Sequence, residues 1–337
     1  MGNRAAFVLT GPGGHTLHRS SYGAVALDLD LLGGPEAVLP FLRSHAPDAS
    51  WYPDDMVEAG VLADPAQRLL LLFAWEGPAA SHRTRAAALE LLRRAWPGWE
   101  VRWLYDGQRG LRAHLGLAPQ EEPPAAVHPG PALEPGDEEL DDPDPLVAVV
   151  TVGPGPGPGS GSGAGPGSGV GPGPGRCHVL ADIAAHPVEE GPALLDRLRD
   201  APDHGSHRLR ADAGIHVDPE RRRVGWWLNT ALAYPRTPAA LWPGWTVEFW
   251  EDRWPEHVRA SGGRFAPPAP DRAAALAEVR DEALARWVGP RGDVRARIVA
   301  SLPHITVGRG FAPAVTAEQA ATARAAIEAA YRAAVGG

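Results

Sequence analysis

His204, His207 and His216 stand within fifteen residues of one another and of Asp218. Imidazole and carboxylate are ligands that suit zinc, and a catalytic zinc needs three of them plus an open position. These residues are therefore the candidate metal ligands. A second reading stays beside the first. Asp218 opens Asp218-Pro219-Glu220-Arg221-Arg222, where Asp followed by Pro begins a turn, and His204 and His207 lie among turn-forming residues as solvated loop histidines.

His304-Ile305-Thr306-Val307 matches the His-x-Thr-x element of the two-histidine phosphoesterases, in which a histidine on each of two strands serves as general acid or base. The required second copy has no clean equivalent. His82-Arg83-Thr84-Arg85 has the spacing but polar x positions on a predicted helix. His304 is the one candidate catalytic residue, against its reading as the first residue of a buried strand. Cys177 and His178 are adjacent, and neighbours on a strand point to opposite faces. Cys177 runs in phase with Val179, Ala181 and Ile183, so a buried structural thiol is expected.

Other chemistry is excluded by composition. All 32 basic residues are arginine, which removes Schiff-base, P-loop and kinase-type lysines. A single cysteine removes disulfides, cysteine-based zinc sites and iron–sulfur clusters. No Gly-x-Ser-x-Gly elbow occurs. Val147–Val152 followed by alternating glycines imitates a dinucleotide loop, but prolines and a strand follow where a helix is needed. No cofactor is expected.

The net charge of −9 is local. Residues 119–145 carry nine carboxylates and no arginine, and elsewhere 32 carboxylates balance the 32 arginines. That neutral remainder speaks against a nucleic-acid or membrane partner. The longest apolar run, Leu69–Trp75, is too short to span a bilayer, and Met1–Thr10 has no apolar leader, so a cytoplasmic protein is expected.

Positioning begins with an internal repeat. Asp64-Pro65-Ala66-Gln67-Arg68 returns as Asp218-Pro219-Glu220-Arg221-Arg222, and Trp96-Pro97-Gly98-Trp99 returns as Trp242-Pro243-Gly244-Trp245, with offsets of 154 and 146. Gly34-Pro35 matches Gly191-Pro192, and Asp106 matches Asp252. Phe7–Thr10 and Leu146–Val152 read as opening strands, paired with Ala24–Leu29 and Cys177–Ile183. A helix opening on Pro35 or Pro192 follows, then the Asp-Pro hairpin, a second helix, the Trp-Pro-Gly-Trp strand and a closing helix. The order ββαββαβα contains βαββαβ, so the expected class is α+β: two tandem modules with ferredoxin-like antiparallel sheets and a C-terminal helical extension.

The expected boundaries are 1–118 for the first module, 119–145 for a solvated acidic linker, 146–264 for the second module and 265–337 for the extension. The Gly/Pro tract 153–175 becomes an enlarged hairpin loop of the second module. In the extension, Leu276, Val279, Ala283 and Trp287 align on one helical stripe, and Thr316-x-x-Gln319 is a capping box. The Asp-Pro-x-x-Arg hairpin and the Trp-Pro-Gly-Trp strand resemble repeats in uncharacterised tandem-repeat proteins of high-GC actinobacteria, a resemblance that implies no activity.

Twelve tryptophans are the strongest positive feature. The repeated ones read as core. Trp250 and Trp254 do not, since Trp250 is out of phase with the inward face and its counterpart is Leu104. They are the candidate binding residues, against a sheet buried by the C-terminal helices. The leading expectation is a non-enzymatic protein that binds another protein or a small molecule through aromatic sheet faces or the groove between modules, in an immunity or accessory role. The alternatives are a hydrolase or phosphoesterase using His304 or the loop histidines, and a structural partner in an assembly.

Overall fold

The computed structural model describes residues 3–21, 23–45, 47–120, 130–141, 147–153, 175–181, 186–231, 238–288 and 315–336. The chain forms two compact units, one of Met1–Glu122 with Pro270–Gly337 and one of Pro123–Ala269. Both are α+β, built on mixed sheets. No helix among the described residues is long and apolar enough to cross a membrane.

The first unit runs β1 (Ala5–Gly11), β2 (Gly14–Ser20), α1 (Leu27–Leu31), α2 (Gly34–Arg43), β3 (Pro47–Asp48), β4 (Ala59–Asp64), β5 (Leu69–Ala74), α3 (Arg85–Ala95), β6 (Glu100–Trp103) and α4 (Gly107–His114). Its six strands lie in the order β3-β2-β1-β4-β5-β6. The second unit runs β7 (Val147–Val152), β8 (Arg176–Ala181), α5 (Ala193–Arg197), β9 (Ala213–Asp218), β10 (Arg223–Leu228), α6 (Pro238–Leu241), β11 (Thr246–Phe249) and α7 (Trp254–Ala260), with sheet order β11-β10-β9-β7-β8. The chain then returns to the first unit with α8 (Arg272–Val288) and α9 (Ala317–Val335).

The sheets depart from the expected antiparallel, ferredoxin-like form. β1 with β4 and β5 with β6 are parallel, as are β7 with β9 and β10 with β11. A ferredoxin-like interleaving would seat β2 between β5 and β6, whereas β2 lies beside β1 in a hairpin. The strand expected at Ala24–Leu29 is another correction. β1 pairs with Gly14–Ser20, and Leu27–Leu31 is helical. The acidic linker is also not wholly solvated: Leu133 N–H donates to Val179 O, Ala181 N–H donates to Pro131 O, and Leu133 is buried. This short stretch covers the outer edge of β8, where unpaired backbone would otherwise face solvent.

Matched residues do matched work in the two units. Trp96 Nε1 donates to Leu31 O and Trp242 Nε1 to Val188 O, both at 2.8 Å. Trp96 meets Trp99 edge-on at 4.8 Å, and Trp242 meets Trp245 at 5.0 Å. Arg68 and Arg222 end their hairpin turns in the left-handed region, at φ 51° and 48°. Asp64 accepts from Ala66 and Gln67 N–H, and Asp218 from Arg221 N–H, as Asp does at the start of a turn.

In the first unit, one face of the sheet packs under α1, α2 and α3 together with α8 and α9, forming a single core from Phe7 and Leu72 to Trp287 and Ile327. The segment set apart by sequence as an extension thus completes this core. Leu276, Val279, Ala283 and Trp287 are buried along α8, and the Thr316 capping box forms at the start of α9. Arg286 donates twice to Asp30, at 2.7 Å each, fastening α8 to α1. In the second unit the opposite face matters more. There α7 packs on β9 and β10 over a core of Val149, Cys177, Val179, Trp227, Trp250 and Phe265.

Candidate functional site

Strand alternation puts Thr151, His216, Gly214, Gly225 and Trp227 on the α7 face of the second sheet, because Thr151 pairs with His216, His216 with Gly225 and Gly214 with Trp227. His257 comes down from α7, with no exposed surface. Four of these side chains form a buried chain of hydrogen bonds. Trp227 Nε1 lies 3.0 Å from His257 Nδ1, His257 Nε2 lies 2.7 Å from Thr151 Oγ1, and Thr151 Oγ1 lies 2.8 Å from His216 Nδ1.

The direction of this chain follows from its first member. Indole nitrogen only donates, so His257 Nδ1 accepts. Burial holds His257 well below its ordinary pKa, helped by His216 and His186, so the ring is neutral and its one proton is on Nε2. That proton goes to Thr151 Oγ1, and the Thr151 hydroxyl then donates to His216 Nδ1. Burial pushes His216 down to about 4, against the pull of Asp218 and with the push of Arg264. Neutral His216 therefore carries its proton on Nε2, a buried N–H that meets no partner among the described residues.

His216 lines a cavity of about 490 Å³ between the hairpin end of the sheet and α7. Trp250 and Gly225 line it as well. The mouth holds Asp218 with Arg221 at 2.9 Å, Arg223 with Glu248 at 3.9 Å, and Arg259 with Glu256. Two glycines make this possible. A Cβ at Gly225 would overlap the Trp250 ring, and one at Gly214 would stand 2.6 Å from His257 Nδ1.

The pairing registers give each member of the chain a counterpart in the first unit. Thr151 corresponds to Val8, His216 to Leu62 and Trp227 to Phe73, since Val8 pairs with Leu62 and Gly60 with Phe73. The Asp106–Asp252 match sets His257 against Leu111. Val8, Leu62, Phe73 and Leu111 are all buried and all apolar. The first unit thus has no polar side chain at these four positions.

Comparison with protein-family models, with curated proteins and with solved structures gives no match. The chemistry of the site is therefore read from its own residues.

The residues singled out by sequence are dispersed. His204 Nε2 lies 3.0 Å from Leu133 O, and His207 is buried, stacked on Phe265 with its Nε2 near Arg210 O. His216 faces Thr151 instead. No cluster of three metal-ligating side chains occurs among the described residues. Trp250, expected to be exposed, is 6 % exposed, because α7 of its own unit covers the face it occupies. Trp254 is half-buried against the same core. Cys177 is buried as expected, and burial pushes its thiol up to about 12. His304 lies outside the described residues.

Sequence reading missed His257 and Thr151 altogether. The available signal was the repeat itself, which sets both against apolar residues.

Proposed function

We propose that the two units are copies of one ββαββαβα module, and that the second has become a non-catalytic binding module for a small ligand while the first serves as a structural counterpart. The observation that carries this reading is the buried, unpartnered Nε2–H of His216, a residue that lines a cavity, in a polar chain whose four counterparts are apolar. A buried donor left without an acceptor costs about 1–3 kcal/mol, so a fold that needs no polar group there has reason to keep one only where an acceptor arrives. A catalytic base is disfavoured, because the bond from Trp227 fixes the His216 proton on Nε2 and the Thr151 hydroxyl takes up the Nδ1 lone pair, so no lone pair is free to accept a proton.

The test replaces the chain by its counterparts. A variant carrying Thr151→Val, His216→Leu, Trp227→Phe and His257→Leu is screened beside the parent protein against one small-molecule fragment set by ligand-observed NMR. Fragments that bind the parent, compete with one another and lose binding in the variant support the reading. Fragments bound equally by both proteins, or by neither, overturn it.

A further inference from the structure

The polar groups that line the second unit's cavity differ in burial: His216 is buried, whereas Arg221, Arg223 and Arg259 are exposed. The Nε2–H of His216 has no partner among the described residues, and its Nδ1 is already committed to Thr151 and through it to His257. The group of an occupant that meets this N–H must therefore accept. Around the mouth, three guanidinium groups and three carboxylates stand as pairs, Arg221–Asp218, Arg223–Glu248 and Arg259–Glu256. The formal charge of this ring is zero. An anion drawn to any of these arginines meets a carboxylate beside it, and a cation meets the reverse.

Such a mouth offers donors and acceptors side by side. The hydroxyl is the common uncharged group that does both, one O–H to a carboxylate and two lone pairs to a guanidinium. Thr246 adds a hydroxyl of the same kind at the rim. Trp250, seated over Gly225, adds an aromatic residue to the lining, the kind of group that meets the C–H face of a saturated ring. The volume, about 490 Å³, lies within the ordinary range for small-molecule sites.

We propose that the cavity bounded by His216, Arg223, Gly225, Glu248, Trp250 and Arg259 binds an uncharged polyhydroxyl ligand of the sugar class. One of its oxygens accepts from His216, and neighbouring hydroxyls bridge the arginine–carboxylate pairs at the mouth. This rests on the binding reading above and adds the chemical class.

The experiment follows the His216 ring nitrogens of the full chain by NMR during titration with neutral sugars (glucose, galactose, trehalose and sucrose), with inorganic phosphate and acetate, and with glycine as a zwitterion. The expected result is a saturable shift of His216 Nε2 with at least one sugar. That sugar should bind at least tenfold more weakly to an Arg223→Gln, Glu248→Gln double variant, in which His216 remains as the reporter. A sugar shift indifferent to the double variant overturns the proposal. A shift with phosphate, acetate or glycine and none with a sugar overturns the sugar class while leaving the binding reading in place. No shift with any probe counts against both.

Discussion

Trp227 Nε1 donates to His257 Nδ1 across 3.0 Å, and this bond determines which nitrogen of His216, two members further along the chain, carries the proton. A group that can only donate sets the sense of every bond after it. His216 is thereby left with a donor and no free lone pair, a state set by a residue that does not line the cavity.

Energetic coupling within the chain is the first prediction. His257→Leu alone strands the Trp227 N–H and removes the donor to Thr151, and should cost about 2–4 kcal/mol, each buried group left unpaired contributing about 1–3. The fourfold replacement by Val, Leu, Phe and Leu removes every partner together and should cost less than His257→Leu by itself. Urea denaturation of both variants checks the order, and a fourfold variant less stable than the single one contradicts it.

Acid should weaken the second unit more than the first. Burial pushes His186, His207 and His216 down to about 4, and His257 lower still. Between about pH 4 and 6.5 the unfolded chain takes up protons at these rings and the folded second unit does not, so its stability falls as pH falls through that window. The loss is about 2 kcal/mol per ring at pH 5. In the first unit, burial pushes Asp28 up to about 6 in spite of the N–H groups of Ala79 and Leu29 and nearby Arg286. There the folded state holds the extra proton, so this group adds stability as pH falls from 6 towards 4, partly offsetting the loss at His45, whose pKa burial also lowers. Amide hydrogen exchange at pH 5 should show Ile215 losing protection before Leu62.

Gly225→Ala should be severely destabilising, because the added methyl overlaps the Trp250 ring. The expected loss is about 3 kcal/mol, the upper end of the usual cost of overpacking, because an aromatic ring must move. In the first unit the matched positions hold Leu71 and Leu104. A Gly225→Leu, Trp250→Leu double variant should therefore recover much of what Gly225→Leu alone loses, as read from thermal melting.

Arg286→Ala leaves the Asp30 carboxylate buried without its bidentate partner and should cost about 3–5 kcal/mol. Limited proteolysis should then cut within α8 before it cuts the second unit. Equal resistance in the parent and the variant would count against the fastening role of the pair.

Much of the frame was legible where local chemistry speaks plainly. The Asp-Pro turns, the capping box at Thr316 and the stripe from Leu276 to Trp287 are short-range signals, and each forms as read. Ala24–Leu29 misled because its alternation imitates a strand, while the true partner of β1, Gly14–Ser20, has Leu17 as its one aliphatic residue. Trp250 misled because phase along one strand cannot reveal a helix on the opposite face. His216 lies between Ile215 and Val217 in phase with Asp218, a pattern that reads as solvent-facing until Leu62 is set against it. Long-range pairing, not local preference, placed the site.

The first unit is discontinuous in sequence. Its core takes Leu276 and Trp287 from α8 and Ile327 and Ala334 from α9. On the ribosome, which releases the chain from its N-terminus, residues 123–269 are all available to fold while the earlier residues still lack the helices that close over them. The unit begun first is the one finished last. A stalled or truncated product would carry a complete second unit beside an exposed apolar sheet, the form that chaperones and proteases recognise.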